Sequence, residues 1–295
     1  MIKEVTSNNF NLNINKTNET PPVLQLKEII SNTFSLIINK EEVMPPIQID
    51  NLDEALKDYT AKLEHIKKCI QIANESFKKN IGSNLEGKII NVIGDSITYG
   101  VNSNKSWTQY LQEDTGCIIR NYGIPGTSLG EKDGVDNSNA FVNRFANMDN
   151  NADIVIVFGG TNDFGNSEGI TTLGKTGDAG KETVYGAVDF LIKGLINKYD
   201  VKTKIVFLLP TMRNYYYDNA EYAPNSKGYT LQDVRDAIKT VCYSNGIKTL
   251  DLKDCGINPY FEKNKNYYIT DGIHPVDEGQ KLIKTVVRNF LESLF

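Results

Sequence analysis

The sequence predicts an α/β domain over residues 86–295, built on a parallel five-stranded sheet with helices on both faces. Three observations lead there. From residue 88 onward, short β-rich apolar runs alternate with longer amphipathic ones, the pattern of a parallel sheet joined by crossover helices. One run, Ile154-Val-Ile-Val-Phe158, is apolar throughout, as suits a strand covered on both faces. Polar, glycine-rich clusters follow the strands, at the carboxyl ends where open α/β sheets bind ligands.

Taken in order, residues 1–50 are rich in Asn and Thr, with alternating runs such as Phe10-Asn-Leu-Asn-Ile14 and punctuation at Pro21-Pro22 and Pro45-Pro46. They predict a β-rich or extended segment too small for its own core. Residues 51–82 change character. Leu56, Tyr59, Leu63, Ile66, Ile70, Ala73 and Phe77 are spaced alternately 3 and 4 apart, a coiled-coil period. The alternative is an amphipathic helix packed on its own domain. Nothing upstream is large enough to cover the stripe, which favours self-association. Ile66 and Ile70 on successive seam positions lean toward a homotrimer through residues 52–81.

Gly82-Ser83-Asn84 closes this helix. Strands are then expected at 88–93, Cys117–Asn121, Asp153–Phe158, Lys204–Leu209 and Ile247–Leu250, with helices at about 105–114, 183–199, 230–244 and 276–294. The five-glycine stretch 164–182 reads as a mobile loop near the site.

Composition narrows the function. A net charge of −5 and a pI near 5.3 argue against nucleic acid, which needs a basic face. No apolar run approaches the ~18 residues of a membrane span, and the N-terminus shows no signal-peptide core, so a cytoplasmic protein is expected. Cys69, Cys117, Cys242 and Cys255 lack disulfide or zinc spacing and read as free thiols.

The strand tips carry the chemistry. They hold Gly94-Asp95-Ser96, then Asn121-Tyr-Gly-Ile-Pro-Gly126, then Gly159-Gly-Thr-Asn-Asp163, and, after the fifth strand, Asp271-Gly-Ile-His274-Pro275. Singly, each has a bland reading. Ser96 suits a helix N-cap, Asn162 a turn, and Asp271 and His274 a capped turn before the last helix. In this order and spacing, the four segments resemble the sequence blocks of the SGNH (GDSL) hydrolases over about residues 88–292. The resemblance implies a flavodoxin-like sheet of order 2-1-3-4-5 and a Ser-His-Asp esterase without metal or cofactor. By position, Ser96 matches the nucleophile, Gly126 and Asn162 the oxyanion-hole residues, and Asp271 and His274 the triad acid and base. Tyr122 replaces the usual apolar or small residue before the first glycine of its block, which is expected to narrow the acyl pocket. Nothing in the resemblance covers residues 1–85.

The residue types suit that chemistry independently. A serine hydroxyl needs a base to become a nucleophile, and imidazole suits because it titrates near neutrality. The chain has two histidines, and His65 lies on the helical stripe, which leaves His274. Asp271, three residues earlier, can reach its Nδ1 and fix the tautomer. The amides of Ser96 and Gly126 and the side chain of Asn162 would stabilise the oxyanion. Asp95 and Asp163 are expected to make structural bonds, and Trp107 to be core. Arg213 among Tyr215, Tyr216, Tyr217, Tyr222 and Tyr229 suggests either a sugar platform or plain packing. The expected reaction is removal of a small acyl group, acetyl above all, from a carbohydrate through an acyl-Ser96 intermediate. The rivals are lipid or thioester hydrolysis, and a structural glycan-binding protein. N-terminally extended members of phage tails make a virion the alternative location.

Overall fold

The computed structural model describes residues 60–68, 82–214 and 220–295. The chain divides into two compact units, 1–75 and 76–295. In the first, residues 60–68 are helical, and Leu63 and Ile66 are exposed. The expected strands of 1–50, the remainder of the 52–81 stripe, Cys69 and Tyr215 to Tyr217 lie outside the described residues.

In the second unit, β1 (Ile89–Gly94), β2 (Ile118–Gly123), β3 (Ile154–Phe158), β4 (Lys204–Leu209) and β5 (Lys248–Asp251) form one sheet in the order β2-β1-β3-β4-β5. Every pairing is parallel. This is the fold and strand order that the sequence and its resemblance imply. The helices are α1 (Ser96–Tyr99), α2 (Trp107–Thr115), α3 (Phe141–Arg144), α4 (Thr161–Phe164), α5 (Val184–Lys198), α6 (Leu231–Ser244), α7 (Glu262–Tyr268) and α8 (Asp277–Glu292). Periodicity announces the four long ones. The others are too short to show a period.

Alternation along the strands builds two cores, because successive side chains point to opposite faces. Ile90, Val92, Ile154, Ile156, Phe158, Val206 and Leu208 face Trp107 and Leu111 of α2 and Ile283 and Val287 of α8. Ile93, Val155, Val157, Phe207 and Leu209 face Leu191 and Ile192 of α5 and Val234 and Ile238 of α6. Trp107 is core, as expected, with its ring edge-on to Phe158 at 6.2 Å. Cys117, Cys242 and Cys255 are buried free thiols. Burial pushes Cys242 up to about 12 and Cys255 to about 11, so neither offers a thiolate.

Two expectations are corrected here. Segment 164–182 is tied to the body rather than hanging as a flap. Ile170 and Thr171 are buried, the Thr171 N–H donates to Asp163 O at 3.0 Å, and the Val184 N–H to Thr172 O at 2.9 Å. Its glycines serve turns, and its few apolar residues are the ones that anchor it. The hydrolase unit also begins earlier than residue 86. Leu85 is fully buried, and the Ser83 hydroxyl and Asn84 N–H both donate to the Glu292 carboxylate at the end of α8.

Candidate active site

The register sets the site. Gly94 at the end of β1 pairs with Gly123 of β2 and Phe158 of β3, so the three following loops leave the sheet side by side. Gly94 is required by close approach: a Cβ there would lie 2.1 Å from Thr98 Oγ1. Asp95 is the N-cap of α1, and its Oδ1 accepts from the Ile97 N–H at 2.9 Å. That cap makes Ser96 the first residue of α1, where the intrahelical ladder leaves its N–H unsatisfied. Among the described residues, the Ser96 and Gly126 N–H groups donate to no protein acceptor.

The structure brings Ser96, His274 and Asp271 into one line. His274 Nε2 is 3.0 Å from Ser96 Oγ, and Nδ1 is 2.7 Å from Asp271 Oδ2. Asp271 Oδ1 accepts from the N–H groups of Ile273 and His274, at 2.9 and 2.7 Å. Burial works against the Asp271 charge. The bonds from the His274 ring and from the His274 and Ile273 N–H groups outweigh it and hold the carboxyl below the usual carboxylate range. Ser96 is 4% exposed.

Asn162 sits on α4, and Gly126, at φ +79°, lies at the start of the loop after β2. The left-handed backbone at Gly126 favours glycine. Asn162 Nδ2 donates to Thr127 O at 3.0 Å, which joins the two loops and leaves its second N–H. Asp163, fully buried, accepts from the Leu129 and Gly130 N–H groups at 2.9 and 3.1 Å. Asp95 and Asp163 thus make structural bonds. Burial pushes Asp95 up to about 6, against the pull of the Ile97 N–H, with His274 and Arg144 also lowering it and Asp163 raising it.

Several supporting residues escape sequence reading. Asn102, at φ +65°, donates from Nδ2 to Asp271 Oδ2 at 2.7 Å. It thereby shares the oxygen that faces the imidazole. Arg144 is buried and donates to Gly94 O, Tyr122 O, Asn139 O and Thr127 Oγ1, binding the tips of β1 and β2 together. Both lie in loops or short helices whose pattern carries no sign of these contacts. Two suggestions fail. Arg213 is 1% exposed, with Nη1 donating to Thr161 O and Gly165 O at the two ends of α4, so it braces α4 and cannot meet a sugar. Tyr122 bonds through its hydroxyl to the Asp149 carboxylate at 2.8 Å, which turns it away from the acyl side.

A sequence profile of the GDSL-like lipase/acylhydrolase family matches residues 92–282. The chain belongs to that family. Membership points to ester hydrolysis. No curated protein sequence matches the chain. One solved structure shares 29% identity at a TM-score of 0.65, over 71% of this chain and 98% of its own. A protein from Lactobacillus plantarum shares 26% at a TM-score of 0.63, over 72% of this chain and 100% of its own. A possible lipase from Chitinophaga pinensis has the same fold, with 22% identity, a TM-score of 0.55, and coverage of 70% of this chain and 98% of its own.

Proposed function

We propose that this GDSL hydrolase removes a small acyl group, acetyl above all, from a carbohydrate. The observation that carries the chemistry is the continuous Ser96-His274-Asp271 line of 3.0 and 2.7 Å contacts. His274 takes the Ser96 proton as Oγ attacks the ester carbonyl. The oxyanion is met by the Ser96 and Gly126 amides and the Asn162 side chain. His274 then returns the proton to the leaving alcohol, and water cleaves the acyl-Ser96 by the same route in reverse.

The small, polar substrate rests on a cavity of about 90 Å³ bordering Gly126. Lys132, Asp136, Asn137, Asn139 and Glu168 contribute to its lining. Hydroxyl-rich or short polar groups suit such walls, and a fatty chain does not. One observation favours a second reading. An open groove of about 440 Å³ is lined by Phe261, Lys263, Asn264, Tyr267 and Tyr268, on the helix just before the triad turn, and would suit a longer acyl chain. Comparing acetylated sugars with esters of increasing chain length decides between them. Acetyl sugars are expected to give the highest kcat/KM, and a rise in kcat/KM with acyl length would overturn the carbohydrate reading.

We also propose self-association through residues 52–81, as a parallel homotrimer. The exposed Leu63 and Ile66 support it, since burying each would contribute roughly 1.5–3 kcal/mol. Light scattering on the full chain is expected to give a trimer, and Leu63→Glu with Ile66→Glu a monomer that keeps its activity. A monomeric wild type would rule the assembly out.

A further inference from the structure

The oxyanion hole has a support that no catalytic motif includes. Asn166 lies just beyond α4, and its Nδ2 donates to Gly126 O at 2.9 Å and to Asn162 Oδ1 at 3.4 Å. One amide nitrogen therefore touches both residues that frame the hole. On its other side, Asn166 Oδ1 accepts from Lys132 Nζ at 2.8 Å and from the Glu168 N–H at 2.9 Å. Lys132 is 5% exposed, and among the described residues no carboxylate comes within ion-pair distance of its ammonium. Burial pushes its pKa down, against the more distant Asp163 and Glu168. A buried ammonium without an ion pair is costly, and its hydrogen bond goes to Asn166.

We infer that Asn166, held by the Lys132 ammonium, is the positioning residue of the oxyanion hole. This rests on the esterase reading above. The logic is one of polarity. An ammonium can only donate, so it fixes Asn166 with Oδ1 toward Lys132 and Nδ2 toward the site. Nδ2 can only donate, so it fixes Asn162 with Oδ1 toward Asn166. Asn162 Nδ2 then faces Thr127 O with one N–H and keeps the other for the oxyanion. Flipping Asn162 would set its Oδ1 against Thr127 O and its Nδ2 against Asn166 Nδ2, two repulsive pairs. The chain Lys132–Asn166–Asn162 thus transmits an orientation, and the same Nδ2 holds the Gly126 carbonyl on the opposite wall. A donor pre-aimed in this way needs no reorganisation as charge develops.

Asn166→Asp is the discriminating variant. It keeps an acceptor for Lys132 and the Glu168 N–H, so the local turn survives. It replaces the donor with an oxygen that repels both Gly126 O and Asn162 Oδ1. With a soluble acetyl ester, kcat is expected to fall about 10²-fold, the scale of losing one oxyanion donor, with KM within a few-fold. Affinity for a phenylboronic acid, which mimics the tetrahedral intermediate on Ser96, should fall by a similar factor. In an Asn162→Ala background, Asn166→Asp should cost much less, because residues acting as a unit are non-additive. Should Asn166→Asp fail to fold, Asn166→Ala removes the same donor, with kcat expected to drop at least ~10-fold and KM within a few-fold. Normal kcat in a folded variant, or a loss confined to KM, would overturn the inference. Ser96→Ala run alongside separates the two claims. If Ser96→Ala stays active, the esterase reading falls and this one with it. If Ser96→Ala is inactive while Asn166→Asp is normal, this inference falls alone.

Discussion

Replacing Ser96 with alanine is expected to lower ester hydrolysis by roughly 10³- to 10⁶-fold, the range for loss of a triad nucleophile. The fold should not notice. Alanine keeps the Cβ and favours the helix, Asp95 still caps α1 through the Ile97 N–H, and the Ser96 hydroxyl has His274 as its hydrogen-bond partner. The variant keeps the oxyanion donors, so it retains a residual rate over water. Turnover of a chromogenic acetate, with thermal melting to confirm the fold, measures this. Covalent labelling by an organophosphonate should vanish with the hydroxyl. Near-normal turnover by Ser96→Ala would remove Ser96 from the reaction.

The second large loss is expected at His274. His274→Ala should cost a comparable factor, because base and nucleophile act as a unit. A protonated imidazole cannot accept the Ser96 proton, so activity is expected to fall with falling pH. Asp271, held below the usual carboxylate range, keeps its charge as the pH falls and is not the first group to limit the rate. If His274→Ala kept the wild-type fall in activity, the base would be another group.

The five strands and four long helices were legible because each announces itself locally. Strands show a period of 2 or unbroken apolar runs, as at Ile154–Phe158, and helices such as α8 show an apolar stripe of period 3.6. The meeting of Ser96, His274 and Asp271 was legible because these residues follow strand ends in a fixed order and the chain offers few histidines. The supporting shell was not. Asn102, Arg144, Lys132 and Asn166 act through side chains that cross between loops, and Asn, Lys and Arg in polar loops look the same whether solvated or buried. Arg213 shows the converse. Its tyrosine-rich neighbourhood left a sugar platform and plain packing both open, and its guanidinium is enclosed beneath the Phe164 ring at 5.5 Å. No local pattern separates those outcomes, because the distinction depends on contacts from α4.

The chain enters the hydrolase unit at the end of the last helix. Ser83 and Asn84 are fastened to Glu292 at the far end of α8, and α8 starts three residues after His274. A helix of 16 residues spans about 24 Å at 1.5 Å per residue, so this attachment lies about one helix length from the turn that carries Asp271 and His274.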